Sequence, residues 1–158
     1  MSNLKNLTWE HHKEAERQGF VKVLLSGKIH PEFYATYLWN QHKKYDLLEA
    51  LAGAQGLFHN LPNIRRKMKI EQDFRELWPY SAPPAVLPSV NKYIEHMRGI
   101  MLDSHKLMAH LYVHHMGDLS GGQMIALFQD LLKMSEQEDA GKGLKSFTML
   151  SSIGFHYY

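Results

Sequence analysis

Apolar residues recur at three- and four-residue intervals along almost the whole chain, and nothing reads convincingly as a strand. That periodicity restricts the chain to an all-α architecture in which each helix buries one stripe. Capping and breaking residues set the boundaries. Thr8 is a good N-cap with Glu10 in the first turn, and a stripe of Ala15, Phe20, Val23 and Leu24 leads to a C-terminal glycine stop at Gly27. Pro31 and Glu32 open a second helix carrying Phe33, Tyr34, Tyr37, Leu38, Tyr45, Leu48 and Leu51, which stops near Gly53. The turn at residues 60–63 lets Asn63 cap a third helix over residues 64–78. Residues 79–88 hold four of the six prolines and form a stiff connector, after which Ser89 caps a helix reaching Met101. The longest helical pattern spans about 105–134. Gly141-Lys142-Gly143 breaks the chain after it, and residues 147–158 begin one more helix.

A chain of 158 residues suffices for one hydrophobic core, so a single domain over 1–158 is expected. With 44% hydrophobic and 22% charged residues it belongs with globular chains, not disordered ones. A net charge of +2 excludes a general nucleic-acid binder. The densest basic cluster, Arg65, Arg66, Lys67 and Lys69, is followed by Glu71, Asp73 and Glu76 and reads as a solvated helix face. The absence of cysteine removes disulfides, thiolate metal sites and cysteine nucleophiles. The N-terminus lacks a signal core and no apolar run nears the ~18 residues of a membrane span, so a cytoplasmic protein is expected. Eleven histidines pose a metal or cofactor question.

The long helical pattern contains Gly117, Gly121 and Gly122, each costing roughly 1 kcal/mol relative to alanine in a helix interior. A helix that keeps them bends there or brings bare backbone close to something; a tight helix crossing explains them equally well. Asp118 follows Gly117 and has Leu111, Met116, Leu119, Met124 and Ile125 as neighbours on the helix. A carboxylate in such surroundings is expensive unless it is hydrogen-bonded or serves a function.

The segment Tyr112-Val113-His114-His115-Met116-Gly117-Asp118-Leu119-Ser120-Gly121-Gly122-Gln123 resembles the distal helix of heme oxygenases, whose signature is a Gly-Asp-Leu-Ser-Gly-Gly-Gln run. The run His12-Lys13-Glu14-Ala15-Glu16 resembles that family's proximal His-x-x-Ala-Glu pattern, and Gly141-Lys142-Gly143-Leu144 with Phe147 loosely resembles a late glycine and aromatic stretch. The resemblance implies a helical bundle with heme between the first helix and a glycine-kinked distal helix. It makes His12 the iron ligand, Glu16 the carboxylate that orients it, and Lys5 and Tyr112 propionate partners. Gly117, Gly121 and Gly122 then let the distal backbone approach the heme, and Asp118 holds water for proton delivery. Taken as bare residues, His12 is one of many histidines, Lys5 and Tyr112 are surface side chains, and Asp118 is a structural carboxylate. Two departures stand out: His114 stands where many members have arginine, and the sequence stops at Tyr158 where the family continues with further helices, as expected of either a minimal version or a fragment of a longer protein.

By this resemblance the chain is a heme-degrading monooxygenase, an oxidoreductase that opens heme to biliverdin, carbon monoxide and ferrous iron. Oxygen and electrons are consumed. Nothing resembles a flavin site, so the electrons come from an external donor such as an acidic ferredoxin or reductase. Two other classes remain: a heme carrier or sensor of the same fold without turnover, and a bundle that uses His110 and His114, spaced i, i+4, for zinc or a di-metal centre. No glutamate has a histidine three residues later, which disfavours the di-metal pattern. A plain interaction bundle would leave Asp118 unexplained.

Overall fold

The computed structural model describes residues 2–26 and 29–118, and every regular element among them is helical. The expected features at Gly27, Gly121, Gly122, 141–144 and 147–158 lie outside the described residues. The chain divides into two compact units, Met1–His30 and Pro31–Tyr158.

The first unit holds α1 (Ser2–Glu16) and α2 (Gly19–Leu25). Sequence reasoning expected one helix starting at Thr8; instead Thr8 lies inside α1 and the helix breaks at Arg17-Gln18. The break is local chemistry. Gln18 turns extended (φ −60°, ψ 141°), its N–H bonds to Ala15 O and its side-chain amide takes the Glu14 carbonyl that a continuing helix would have used. Gly19, a poor helix former, then starts α2.

The second unit is built on α3 (Pro31–Ala54), which begins at Pro31 as expected. Its end lies beyond Gly53. Gly56 adopts φ +70°, Gly56 N–H bonds to Gly53 O, and Leu57 N–H bonds to Ala52 O, the paired bonds of a Schellman stop. A 3₁₀ turn (Pro62–Ile64) and α4 (Lys67–Leu77) follow. Asn63 sits within the turn and does not cap α4. That role falls to Glu49 of α3, whose buried carboxylate accepts from Arg66 N at 2.6 Å and Lys67 N at 3.0 Å.

The proline connector is fastened by buried Asn40, which accepts from Leu87 N and donates to Ala85 O. It leads to α5 (Pro88–Gly99), whose N-cap is Leu87 with Pro88 at the first helical position, not Ser89. A short turn then brings Asp103, whose side chain caps Lys106 N and opens α6, helical from residue 104 through 118. Leu48, Ala52, Phe58, Met97, Leu107 and Leu111 form the core that joins α3, α5 and α6. His115 adds a polar pin, with Nε2 2.7 Å from the Ile64 carbonyl. Among the described residues no helix is long and apolar enough to cross a membrane.

Candidate functional site

In the first unit, α1 brings His12 and Glu16 together. Their i, i+4 spacing puts both on one face, and Nε2 lies 3.1 Å from Glu16 Oε1. Both are mostly exposed, at 60% and 62%, so the contact contributes little to stability. It does direct one ring nitrogen, Nε2, at a carboxylate and leaves Nδ1 as the other possible ligand atom, as in carboxylate–histidine metal ligation. Trp9 flanks the ring, its centroid 6.1 Å away.

In the second unit, Asp118 ends the described part of α6 and is tied to two other helices. Tyr45 of α3 donates its hydroxyl to Asp118 Oδ2 at 2.6 Å, in the range of a charge-assisted bond. Arg66, at the start of α4, places Nε 3.6 Å from the same oxygen. Arg66 is itself held through its backbone by Glu49, one turn after Tyr45 on α3. A closed circuit results: Asp118 to Tyr45, one turn of α3 to Glu49, Glu49 to Arg66, and Arg66 back to Asp118. Asp118 keeps 31% of its side chain exposed.

Further phenols and an imidazole surround this carboxylate. Burial, then the charge of Asp118, pushes the Tyr45 hydroxyl well above its ordinary value and keeps it a donor. Burial likewise raises Tyr34, and Tyr37 is pushed up to about 12 by burial and then by Asp118. His114 packs edge-on against Tyr45 and Tyr93, and burial followed by Lys44 lowers its pKa to about 4. Near neutral pH the surroundings of Asp118 are therefore protonated phenols, a neutral imidazole and a guanidinium. Tyr34 Oη and Arg66 Nε are buried and make no hydrogen bond among the described residues. Gly117, beside Asp118, stays helical, and a Cβ built there would meet no described atom within 4 Å. Packing among the described residues does not demand that glycine.

The family model for heme oxygenase matches residues 1–155. The chain belongs to the heme oxygenase family. It is 29% identical to heme oxygenase 1 of Synechocystis sp. over 132 residues, which covers 78% of this chain and 55% of that protein. Against human heme oxygenase 1 the identity is 25% over 162 residues, covering 92% of this chain and 53% of the relative. The chain spans about half the length of the curated relatives it matches. Solved structures agree on the all-α fold. Synechocystis heme oxygenase-1 in complex with heme has a TM-score of 0.69 at 24% identity, covering 97% of this chain and 71% of that one. Heme oxygenase from Leptospira interrogans gives 0.68 at 24% identity, with 94% and 74% covered.

Within this heme oxygenase-family chain the expected residues fall into two groups. His12 and Glu16 pair as the spacing suggested. Lys5 lies in α1 with its side chain outside the described residues, and Tyr112 is 62% exposed on α6. Asp118 is hydrogen-bonded to Tyr45 and faces Arg66, partners that the sequence did not point to, while Leu119, Met124 and Ile125 lie outside the described residues. The basic cluster is not uniformly solvated either: Arg66 is half-buried toward Asp118, Lys67 pairs with Asp46 at 2.5 Å, and Arg65 lies over the Phe58 ring. Of the i, i+4 histidine pair, His110 faces His96 whereas His114 faces Tyr45 and Tyr93. Sequence reasoning assigned no role to Tyr45, Arg66 or Glu49. One signal was present in the tyrosines at 34, 37 and 45, which share a helical face that apolar residues would ordinarily fill.

Proposed function

We propose that this chain binds heme and opens it oxidatively, yielding biliverdin, carbon monoxide and ferrous iron with electrons from an external ferredoxin or reductase. Membership of the heme oxygenase family supports the reading, and the observation that carries it is the anchored carboxylate of Asp118 beside bare Gly117. The residues fit the group. An exposed imidazole with a carboxylate partner would suit an iron ligand. The cluster in the second unit offers a glycine with no described atom near its Cβ position and two buried donors without a hydrogen-bond partner among the described residues.

Bound heme supplies both the redox-active iron and the ring that is opened. The protein does the rest. His12 would supply a nitrogen ligand to the iron, and Glu16 would hold its ring. By the family resemblance Lys5 and Tyr112 would meet the propionates, and the glycines at 117, 121 and 122 would carry no side chain to obstruct the heme. Tyr45 donates to Asp118 Oδ2 and Arg66 faces the same oxygen, so the carboxylate is fixed while its remaining lone pairs order water for proton delivery.

Titration of the purified chain with hemin, followed by oxygen and reductant, tests this. A saturable Soret band that decays into a bilin spectrum is expected. A band that persists makes the chain a carrier, and no band at all removes the heme reading. His12→Ala should abolish the iron–imidazole signature, and an unaltered signature refutes that role. Asp118→Ala should keep heme bound and lower bilin yield by on the order of 10²-fold; an unchanged yield takes Asp118 out of the mechanism.

A further inference from the structure

Away from the Asp118 cluster, α5 and α6 bring two imidazoles nose to nose. His96 Nε2 and His110 Nε2 are 3.3 Å apart, the rings inclined at 55° with centroids 5.2 Å apart. As a hydrogen bond this is long, since N–H donors usually sit ~2.9–3.0 Å from their acceptors. As a chelate it fits. Two Zn–N bonds of ~2.0–2.1 Å at the tetrahedral angle hold the two nitrogens about 3.3–3.4 Å apart. The other nitrogen of His110 is engaged as well, with Tyr93 Oη 3.4 Å from Nδ1 and the Tyr93 ring edge-on at 5.6 Å. A metal-ligating histidine has this arrangement: one nitrogen toward the ion, the other held by a neighbour that fixes ring orientation and tautomer. His96 is exposed and His110 partly so, which leaves the facing nitrogens open to an ion from solvent.

We propose that His96 and His110 form a binding site for one divalent transition-metal ion of the zinc and copper class, with Tyr93 as the outer partner of His110. Imidazole pairs favour such ions over magnesium or calcium, which take oxygen ligands. Both rings bind as the Nδ1–H tautomer, so His110 donates Nδ1–H to Tyr93 Oη and each Nε2 gives its lone pair to the ion. Among the described residues no group of three or more potential ligands converges, so water fills the remaining positions. The chelate ties α5 to α6 across 14 residues of sequence, and because the ion binds only the folded arrangement, occupancy raises the thermal midpoint.

Zinc chloride titrated calorimetrically into the heme-free full chain tests the site without reference to heme turnover. One zinc per chain is expected. His96→Gln and His110→Gln should each weaken binding by at least ~100-fold, and Tyr93→Phe by about tenfold, the usual effect of losing an outer partner. The double variant His11→Gln, His12→Gln should bind zinc as the parent does, which separates this pair from the other histidines. Circular dichroism without zinc checks that each variant is folded, and the replaced histidines lie outside the buried core. If either His96→Gln or His110→Gln keeps the parent isotherm, or if the parent shows no saturable heat, the proposal is overturned.

Discussion

Replacing Tyr45 by phenylalanine removes one hydroxyl and nothing else from a fully packed position, so its effect isolates the bond to Asp118. A hydrogen bond to a charged group contributes about 1.5–3 kcal/mol net. The 2.6 Å separation argues for the upper part of that range, and the 31% exposure of Asp118 argues for the lower part, because water recovers some of the loss. We expect a coupling of about 2 kcal/mol between the two side chains. Arg66 cannot make up the loss. Its Nε stands 3.6 Å away, beyond hydrogen-bond reach, and its backbone is fixed by Glu49. Urea unfolding of the parent, Tyr45→Phe, Asp118→Ala and the double variant measures the coupling directly, given equal m-values. The double variant should lose less than the two single losses added together, by the coupling energy. Additivity within about 0.5 kcal/mol refutes the claim that Tyr45 holds Asp118.

Three further outcomes follow from the same structure. Glu49→Ala removes the side-chain cap of α4 and leaves two backbone donors without their carboxylate, so urea denaturation should register a loss of about 2–3 kcal/mol; a loss below about 0.5 kcal/mol refutes the capping role. Gly56→Ala strains a left-handed residue and should cost about 1 kcal/mol. Gly53→Ala, whose Cβ would meet Arg65 and Phe58 at ordinary distances of 3.5 and 3.9 Å, should be neutral or slightly stabilising, and the reverse order of the two would refute the assigned stop. Asp73 is pushed up to about 6 by burial and then by Glu76, so its contribution is complete below the unfolded value of ~3.9 and is lost as pH rises through about 6. Asp73→Asn should therefore match the parent in acid and exceed it near neutral pH by on the order of 1 kcal/mol after allowance for exposure. His114, lowered to about 4, acts oppositely and loses its contribution as pH falls through that value. Thermal midpoints of variant and parent are thus compared at each pH, and a difference independent of pH refutes the Asp73 assignment.

The helical class, the start of α3 at Pro31 and the pairing of His12 with Glu16 were legible in the sequence because each depends on residues within four positions of one another. The misjudged boundaries share a different cause. Thr8, Asn63 and Ser89 are good caps by type, yet α1 extends past the first of them to Ser2, and α4 is capped by a carboxylate 17 residues away. At α5 a proline already supplies the helical φ at the first position. Local propensity ranks candidates for a cap, and tertiary contacts choose among them. Arg66 was misread for the same reason. Its neighbours in sequence are charged, and only the tertiary arrangement that brings the start of α4 beside the end of the described part of α6 turns it toward Asp118.

The circuit through Tyr45, Glu49, Arg66 and Asp118 also bears on whether Asp118 is there to hold the fold or to serve chemistry. A carboxylate used only as a pin does best fully buried, with each acceptor position filled by a fixed donor. Glu49 meets that description: it is buried, and one oxygen takes two backbone N–H groups. Asp118 departs from it in each respect. It is partly exposed, both of its partners among the described residues act on the same oxygen, one of them at 3.6 Å, and it follows a glycine that packing among those residues does not require. Glu49 therefore supplies rigidity one turn away, and Asp118 receives it without being consumed by it. A carboxylate fixed from behind and open in front can organise water for proton transfer, because its position is already determined before any substrate arrives.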